Sequence, residues 1–366
     1  MPPGPENPCP PAVGPDPEPV PPQRCVSVLV IVDPELSATA LTELDRLAGK
    51  RGWQAERVGD GSPAVVRVQG AAETMDAQLL SAIAGVVSVV DARPAVALAA
   101  RTAQRTRTEV SVGRAVFGGS AIQIVAGPCA VRSAAQIEEV CSRLAALGLR
   151  AVRAGVFKPR TSPYAFQGLG LEGLAMLGDA ARRHGLAVLT EVMAPDMVER
   201  VGEHADMLQV GARSMSNYPL LRAVGRSRRP VMLKRAVSAS YDELLGAAEY
   251  ILSEGNPNVV LCERGIRTFV SEVRETLDVS AVPVLKRKTH LPVIVDPSHA
   301  AGARDLVAPL TLAALAAGAD GAMIEVDVDP EQSPSDGAQL LWFDQLEDLL
   351  GRCRALAKAI GRELVP

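Results

Sequence analysis

Four side chains able to ligate a transition metal, Cys129, His299, Glu325 and Asp336, each stand at or just beyond the end of an apolar run. Together a thiolate, an imidazole and two carboxylates suit a divalent first-row ion. Singly, each has a plainer reading, since a cysteine ending an apolar run is usually a small core residue. They share no short spacing, so they form a site only if the fold brings the first and last runs together. A second set is cationic: Arg153, Lys158, Arg160, Arg213, Lys234 and Arg264 lie at successive run ends. Gathered at one mouth, these charges would repel one another unless they held anionic groups such as phosphates and a carboxylate. The planar fork of arginine suits both. Any one of the six reads equally well as an ordinary surface residue, but six at corresponding places point to a site that holds several anionic groups.

The runs that must position them are rich in Val, Ile, Leu and Ala: Ile122–Cys129, Ala151–Phe157, Ala187–Val192, Met207–Ala212, Val231–Ala236, Val259–Gly265, Pro292–Pro297 and Gly321–Val326. Unbroken apolar runs are what strands covered on both faces require. Helical stretches alternate with them, among them Ala134–Leu147, Leu171–His184, Tyr241–Glu254 and Asp305–Ala317, and Leu340–Ile360 follows the last. Eight such units predict an α/β fold, a (β/α)8 barrel over 116–366, with its active site at the C-terminal ends of the strands. Glu191 ends the third run and faces the same mouth.

Ahead of the barrel, residues 25–95 read β-α-β-β-α-β, the ferredoxin-like order. Its parts are Cys25–Val32, Pro34–Lys50, Trp53–Val58, Val65–Gly70, Ala72–Ile83 and Val86–Asp91, with a turn at Gly59-Asp60-Gly61. This predicts a small regulatory or assembly domain. Residues 96–115 read as a linker with some strand character. Residues 1–24 hold 11 of the 28 prolines and read as a disordered tail, because proline removes backbone donors and favours extended geometry. The net charge of −4 lacks the basic footprint of a nucleic-acid binder, and no apolar run reaches the roughly 20 residues of a membrane span. Six scattered cysteines make no disulfide framework, and no signal peptide is recognisable. The expectation is a cytoplasmic protein with reduced thiols.

The motifs AGPCA (126–130), KPRTSPYAFQG (158–168), TEV (190–192), QVGARS (209–214), LKR (233–235), LCERGIRTF (261–269), VDPSHAAG (295–302), IEVDVDP (324–330) and SDG (335–337) resemble 3-deoxy-D-arabino-heptulosonate 7-phosphate (DAHP) synthase. The resemblance is closest to its shorter bacterial subfamily, which also includes the 3-deoxy-octulosonate 8-phosphate synthases, and it spans about 116–360. It implies a transferase, 3-deoxy-7-phosphoheptulonate synthase, that condenses phosphoenolpyruvate with D-erythrose 4-phosphate at the head of the shikimate pathway to the aromatic amino acids. It also implies one divalent metal ion (Mn, Fe, Co or Zn) on Cys129, His299, Glu325 and Asp336, and no organic cofactor. Phosphoenolpyruvate would lie on Arg153, Lys158, Arg213, Lys234 and Arg264, with Glu191 close by, and erythrose 4-phosphate on Arg160, Thr161 and Ser162. Lys158, Glu191 and His299 are then the candidate catalytic residues, Lys158 as proton donor to the new alkoxide. The octulosonate enzymes carry a KANRSS-like stretch where this chain has KPRTS, which favours the four-carbon sugar. Ala154, and the pair Ala300-Ala301, depart from the family pattern without removing a ligand. Relatives also imply a homodimer or homotetramer, and an aromatic amino-acid effector on the N-terminal domain. Tyrosine-binding relatives carry a His-x-Ser segment where Glu56-Arg57-Val58 stands here, so a domain that only makes subunit contacts is an equal expectation. The alternatives weighed are an octulosonate 8-phosphate synthase using arabinose 5-phosphate and a non-catalytic barrel that binds or scaffolds.

Overall fold

The computed structural model describes residues 25–58, 64–71, 75–91, 96–102, 105–158, 162 and 164–365. The proline-rich stretch 1–24, the Gly59-Asp60-Gly61 turn, and Arg160 and Thr161 lie outside these. Contacts divide the chain into two units, Met1–Pro94 and Ala95–Pro366.

In the first unit the elements are β1 (Cys25–Val32), α1 (Ser37–Arg51), β2 (Gln54–Arg57), β3 (Ala64–Ala71), α2 (Ala77–Ser81) and β4 (Val86–Asp91). The sheet order is β2-β3-β1-β4, and β1 pairs antiparallel with both β3 and β4. Alternation in β1 turns Val28, Val30 and Val32 inward, against Leu44 and Ala48 of α1, and with Val66, Val68 and Trp53 they form a separate core. Helix α2 is shorter than the expected Ala72–Ile83. Asp76 caps it by accepting from the Gln78 and Leu79 amides, and that cap sets the start of the helix at Ala77.

The second unit begins with a hairpin, β5 (Val110–Val112) and β6 (Ala115–Phe117). Its apolar side chains Val110, Val112, Ala115 and Phe117 cluster with barrel-interior residues such as Val125, Met207, Met232 and Met323. The segment expected as a linker is therefore partly core. A three-residue strand is too short for a period-two pattern to stand out.

The barrel strands are β7 (Ala121–Gly127), β8 (Ala151–Arg153), β9 (Ala187–Glu191), β10 (Met207–Val210), β11 (Val231–Lys234), β12 (Val259–Glu263), β13 (Val293–Val295) and β14 (Gly321–Glu325). Each pairs in parallel with the next. The ring closes where Gly321–Glu325 of β14 lies beside Gln123–Gly127 of β7. This is a closed eight-stranded parallel α/β barrel among the described residues, and β15 (Glu363–Val365) pairs in parallel with the N-terminal end of β7, Ala121–Gln123. Around it run α3 (Ala134–Ala146), α4 (Gly170–Arg183), α5 (Val198–Gly202), α6 (Tyr218–Arg226), α7 (Tyr241–Ser253), α8 (Ala281–Lys288), α9 (Pro297–Ala301), α10 (Arg304–Ala316) and α11 (Phe343–Ala359). Starts follow local chemistry: Ser133 caps α3, and Ser240 with Glu243 makes a capping box on α7. Most strands end sooner than the apolar runs predict. After Arg153, for example, Val156 and Phe157 stay apolar because they pack on the helical layer, not because the ladder continues. No helix among the described residues is long and apolar enough to cross a membrane.

Candidate active site and metal centre

Closure of the ring sets Cys129, two residues past β7, beside the residues that follow β14. The Cys129 Sγ lies 3.0 Å from the Ser335 hydroxyl, 3.2 Å from Asp336 Oδ2 and 3.0 Å from Lys158 Nζ. One ligand atom each from Cys129, His299 and Glu325 fit within 4.8 Å of one another. A buried thiol, imidazole and carboxylate this close suit a divalent first-row ion. Asp336 is not one of that tight trio, but it abuts the sulfur. Burial, reinforced by the Glu325 charge, pushes the Cys129 thiol up to about 12, although Lys158 opposes the shift. A divalent ion would reverse that balance and take the thiolate.

His299 is held from behind. Its Nδ1 lies 2.7 Å from Asp296 Oδ2, close in distance though poorly aligned for a hydrogen bond, and its Nε2 lies 3.4 Å from Glu325 Oε1. Burial lowers the pKa of His299 against the pull of Asp296 and Glu325, which favours the neutral imidazole a metal needs. Asp296 is itself buried. It caps α9 by accepting from the His299 amide at 3.1 Å and pairs with Lys234 Nζ at 2.5 Å. Burial would raise its pKa, but His299 and Lys234 outweigh that and hold it well below the usual carboxylate range.

Arg153 is buried, and it donates to Glu325 Oε1 at 2.8 Å and to the Pro128 carbonyl at 2.6 Å. Glu325 is correspondingly lowered, with His299 and Arg153 overcoming burial. Its second oxygen accepts from Gln339 Nε2 at 2.6 Å. Lys158 can reach Cys129 because residue 155 is glycine: a Cβ there would lie 2.6 Å from the Cys129 carbonyl oxygen and 2.9 Å from Lys158 Cδ. Opposite, Glu191 accepts from Gln209 at 3.3 Å and packs on Gly211, where a Cβ would fall 2.0 Å from Glu191 Oε1. Together these walls enclose a cavity of about 490 Å3, lined by Arg153, Lys158, Glu191, Arg213, Lys234, Arg264, His299 and Asp336.

A model described as the DAHP synthetase I family matches residues 105–360. The chain belongs to that family. Among its relatives, the phospho-2-dehydro-3-deoxyheptonate aldolase of Thermotoga maritima is 45% identical over 254 residues, which is 69% of this chain and 75% of the relative. The 2-dehydro-3-deoxyphosphooctonate aldolase of Bradyrhizobium diazoefficiens is 33% identical over 269 residues, 67% of this chain and 93% of the relative. The crystal structure of the Thermotoga maritima DAHP synthase superposes with a TM-score of 0.76 at 38% identity, covering 93% of this chain and 99% of that one. A truncated form of the same enzyme gives 0.70 at 39% identity, over 74% of this chain and all of that one.

For a DAHP synthetase I family member, the cation set is less exposed than its sequence suggests. Arg153 and Lys234 reach the cavity but are already paired with Glu325 and Asp296, so the expected repulsion is partly neutralised. Arg264 donates to the His299 carbonyl at 3.4 Å. Ser162 accepts from the Tyr164 amide and does not line the cavity. Asp296, Gln209, Arg274, Ser335 and Gln339 were not among the expected site residues. Asp296 had a signal, because Asp-Pro-Ser-His reads as a helix start with a cap and a first-turn proline. Gln209 lies inside β10, and Arg274, Ser335 and Gln339 lie between the main strands and helices, with no such mark.

Proposed function

We propose that this chain condenses phosphoenolpyruvate with D-erythrose 4-phosphate and water to give DAHP and phosphate, the first step of aromatic amino-acid biosynthesis. The observation that carries this is the juxtaposition, at one barrel mouth, of the Cys129–His299–Glu325 group with lysines and arginines around a cavity of about 490 Å3. Cys129, His299, Glu325 and Asp336 would hold one divalent ion, Mn, Fe, Co or Zn, and their mixed donors fit it. When bound, that ion supplies Lewis acidity toward the aldehyde oxygen.

The protein's own groups do the rest. Arg153, Arg213, Lys234 and Arg264 bind and orient phosphoenolpyruvate through its carboxylate and phosphate. Arg160, Thr161 and Ser162 hold the phosphate end of the aldose. C3 of the enol bonds to the aldehyde carbon, and Lys158 Nζ gives its proton to the oxygen that was the aldehyde's. Water adds at C2 and yields a proton to Glu191. The bond from C2 to the phosphate oxygen then breaks as the new C2 hydroxyl gives its proton to the departing phosphate, leaving the 2-oxo product and inorganic phosphate. Gly211→Ala should swing Glu191 aside with little loss of fold, because only a side-chain end must move. Turnover should fall about 100-fold with the melting temperature nearly unchanged, and unchanged turnover would remove Glu191 from this role.

The β-α-β-β-α-β order and β2-β3-β1-β4 sheet support a ferredoxin-like regulatory or assembly domain over 25–95, joined through 96–115 to the catalytic barrel at 116–366. An aromatic amino-acid effector there, a homodimer or homotetramer, and a cytoplasmic location belong to the same proposal. Relatives named for the octulosonate reaction match over nine-tenths of their length, so the aldose is decided by assay. Metal-stripped protein refilled with one ion at a time should consume phosphoenolpyruvate faster with erythrose 4-phosphate than with arabinose 5-phosphate. The reverse preference would transfer the chain to the octulosonate reaction.

A further inference from the structure

In each carboxylate of the proposed metal centre one oxygen is already engaged by one of two linked residues, Arg274 on Asp336 and Gln339 on Glu325. Arg274, in the segment between β12 and α8, donates from Nη1 to Asp336 Oδ1 at 2.9 Å and to Gln339 Oε1 at 3.1 Å. Because Arg274 has no acceptor to offer, it fixes which end of the Gln339 amide faces it. The amide nitrogen must then point the other way, where it donates to Glu325 Oε2 at 2.6 Å. Glu325 is left with Oε1, which accepts from Arg153 at 2.8 Å and lies 3.4 Å from His299 Nε2, and Asp336 with Oδ2 toward the Cys129 sulfur. Gln339 is buried, so its orientation is not averaged by solvent. Asp336 holds a left-handed backbone at φ 54°, which aspartate tolerates better than most residues, and the Arg274 contact anchors it there.

We propose that Arg274 and Gln339 are positioning residues that tie off one oxygen of each carboxylate, so that Glu325 and Asp336 meet the ion through a single oxygen each. This rests on the metal centre proposed above. The consequence is selectivity. Calcium takes six to eight oxygens and readily uses carboxylates two oxygens at a time. A site of one sulfur, one nitrogen and two single carboxylate oxygens excludes it in favour of transition ions. Released carboxylates could turn and offer both oxygens.

The test is competition of the metal-stripped protein against a chelator, with Co2+ and Ca2+ as probes, on Arg274→Met, Gln339→Glu and Cys129→Ser. Arg274→Met removes the donor that orients the amide. Gln339→Glu keeps the size and the bond to Arg274 but turns an acceptor toward Glu325. Both variants are expected to weaken Co2+ binding about 10- to 100-fold, to lose part of the Co2+-over-Ca2+ preference, and to alter the visible absorption of the Co2+ form. The metal-free melting temperature should stay close to that of the unsubstituted chain, a combination that general loosening of the fold would not give. Co2+ affinity within twofold of the unsubstituted chain in both variants would overturn the clamp. If Cys129→Ser binds Co2+ as tightly as the unsubstituted chain, the metal centre itself is misplaced. If only Cys129→Ser loses the ion, the centre stands and the clamp falls.

Discussion

Asp296→Asn should weaken both metal binding at the proposed centre and turnover. Asp296 is fully buried and touches two groups of the proposed site, Lys234 Nζ at 2.5 Å and His299 Nδ1 at 2.7 Å. Asparagine keeps the shape and the cap on α9 but removes the charge. The Lys234 ammonium is then buried without a partner, a change that costs about 3–5 kcal/mol when a buried pair is broken from one side. The imidazole also loses the carboxylate that orients it, which for a metal-bound histidine weakens the ion by about 10- to 100-fold. Turnover should fall by at least roughly 100-fold, since Lys234 and His299 both shift. The pH dependence has a definite sign. Asp296 titrates well below its unfolded value in the fold, so its stabilisation is present at neutral pH. It is lost as pH drops from about 4 through the folded-state pKa. The stability gap between the two forms should therefore be full at pH 7 and shrink in acid. Metal content, melting curves at pH 7 and pH 3, and steady-state rates measure this, and an Asp296→Asn protein with full metal and full turnover would show Asp296 to be a helix cap and nothing more.

What the sequence made legible was periodic or paired with a repeat. Eight apolar runs separated by helical stretches predict the barrel, and the barrel supplies the closure that joins Cys129 to Asp336 across 207 residues. The cations were legible because each ends or follows an apolar run. Their partners were not: nothing in the local pattern around Asp296 or Glu325 tells that the first will sit on Lys234 and the second on Arg153 and Gln339. Such contacts depend on loop paths, and a loop has no periodicity from which its path can be read. The hairpin Val110–Phe117 shows in the sequence only as some strand character, for a different reason. Its strands are three residues each, below the length at which alternation differs from chance, yet Phe117 is buried in the barrel interior. Strand ends were overrun because apolar residues such as Val156 serve the helical layer as well as the ladder.

Cys129→Ser separates the metal reading from every structural one. Serine preserves a hydroxyl that can meet Ser335, Lys158 and Asp336, so the pocket should fold, and the metal-free variant should melt near the unsubstituted protein. What is lost is the thiolate, the donor that favours a transition ion over magnesium or calcium. Affinity should drop by more than about 100-fold, beyond the usual effect of losing a supporting residue, and activity should fall in parallel and recover only in part at high metal. Proton release gives an independent measure. In the metal-free protein, burial and the Glu325 charge hold the thiol up at about 12, so at pH 7 it is protonated and must shed that proton to bind the ion. Calorimetry of Zn2+ binding in two buffers of different ionisation enthalpy should find one more proton released by the unsubstituted chain than by Cys129→Ser. Full activity in metal-stripped Cys129→Ser protein, or equal proton release from the two, would leave Cys129 as a small buried side chain at a strand end.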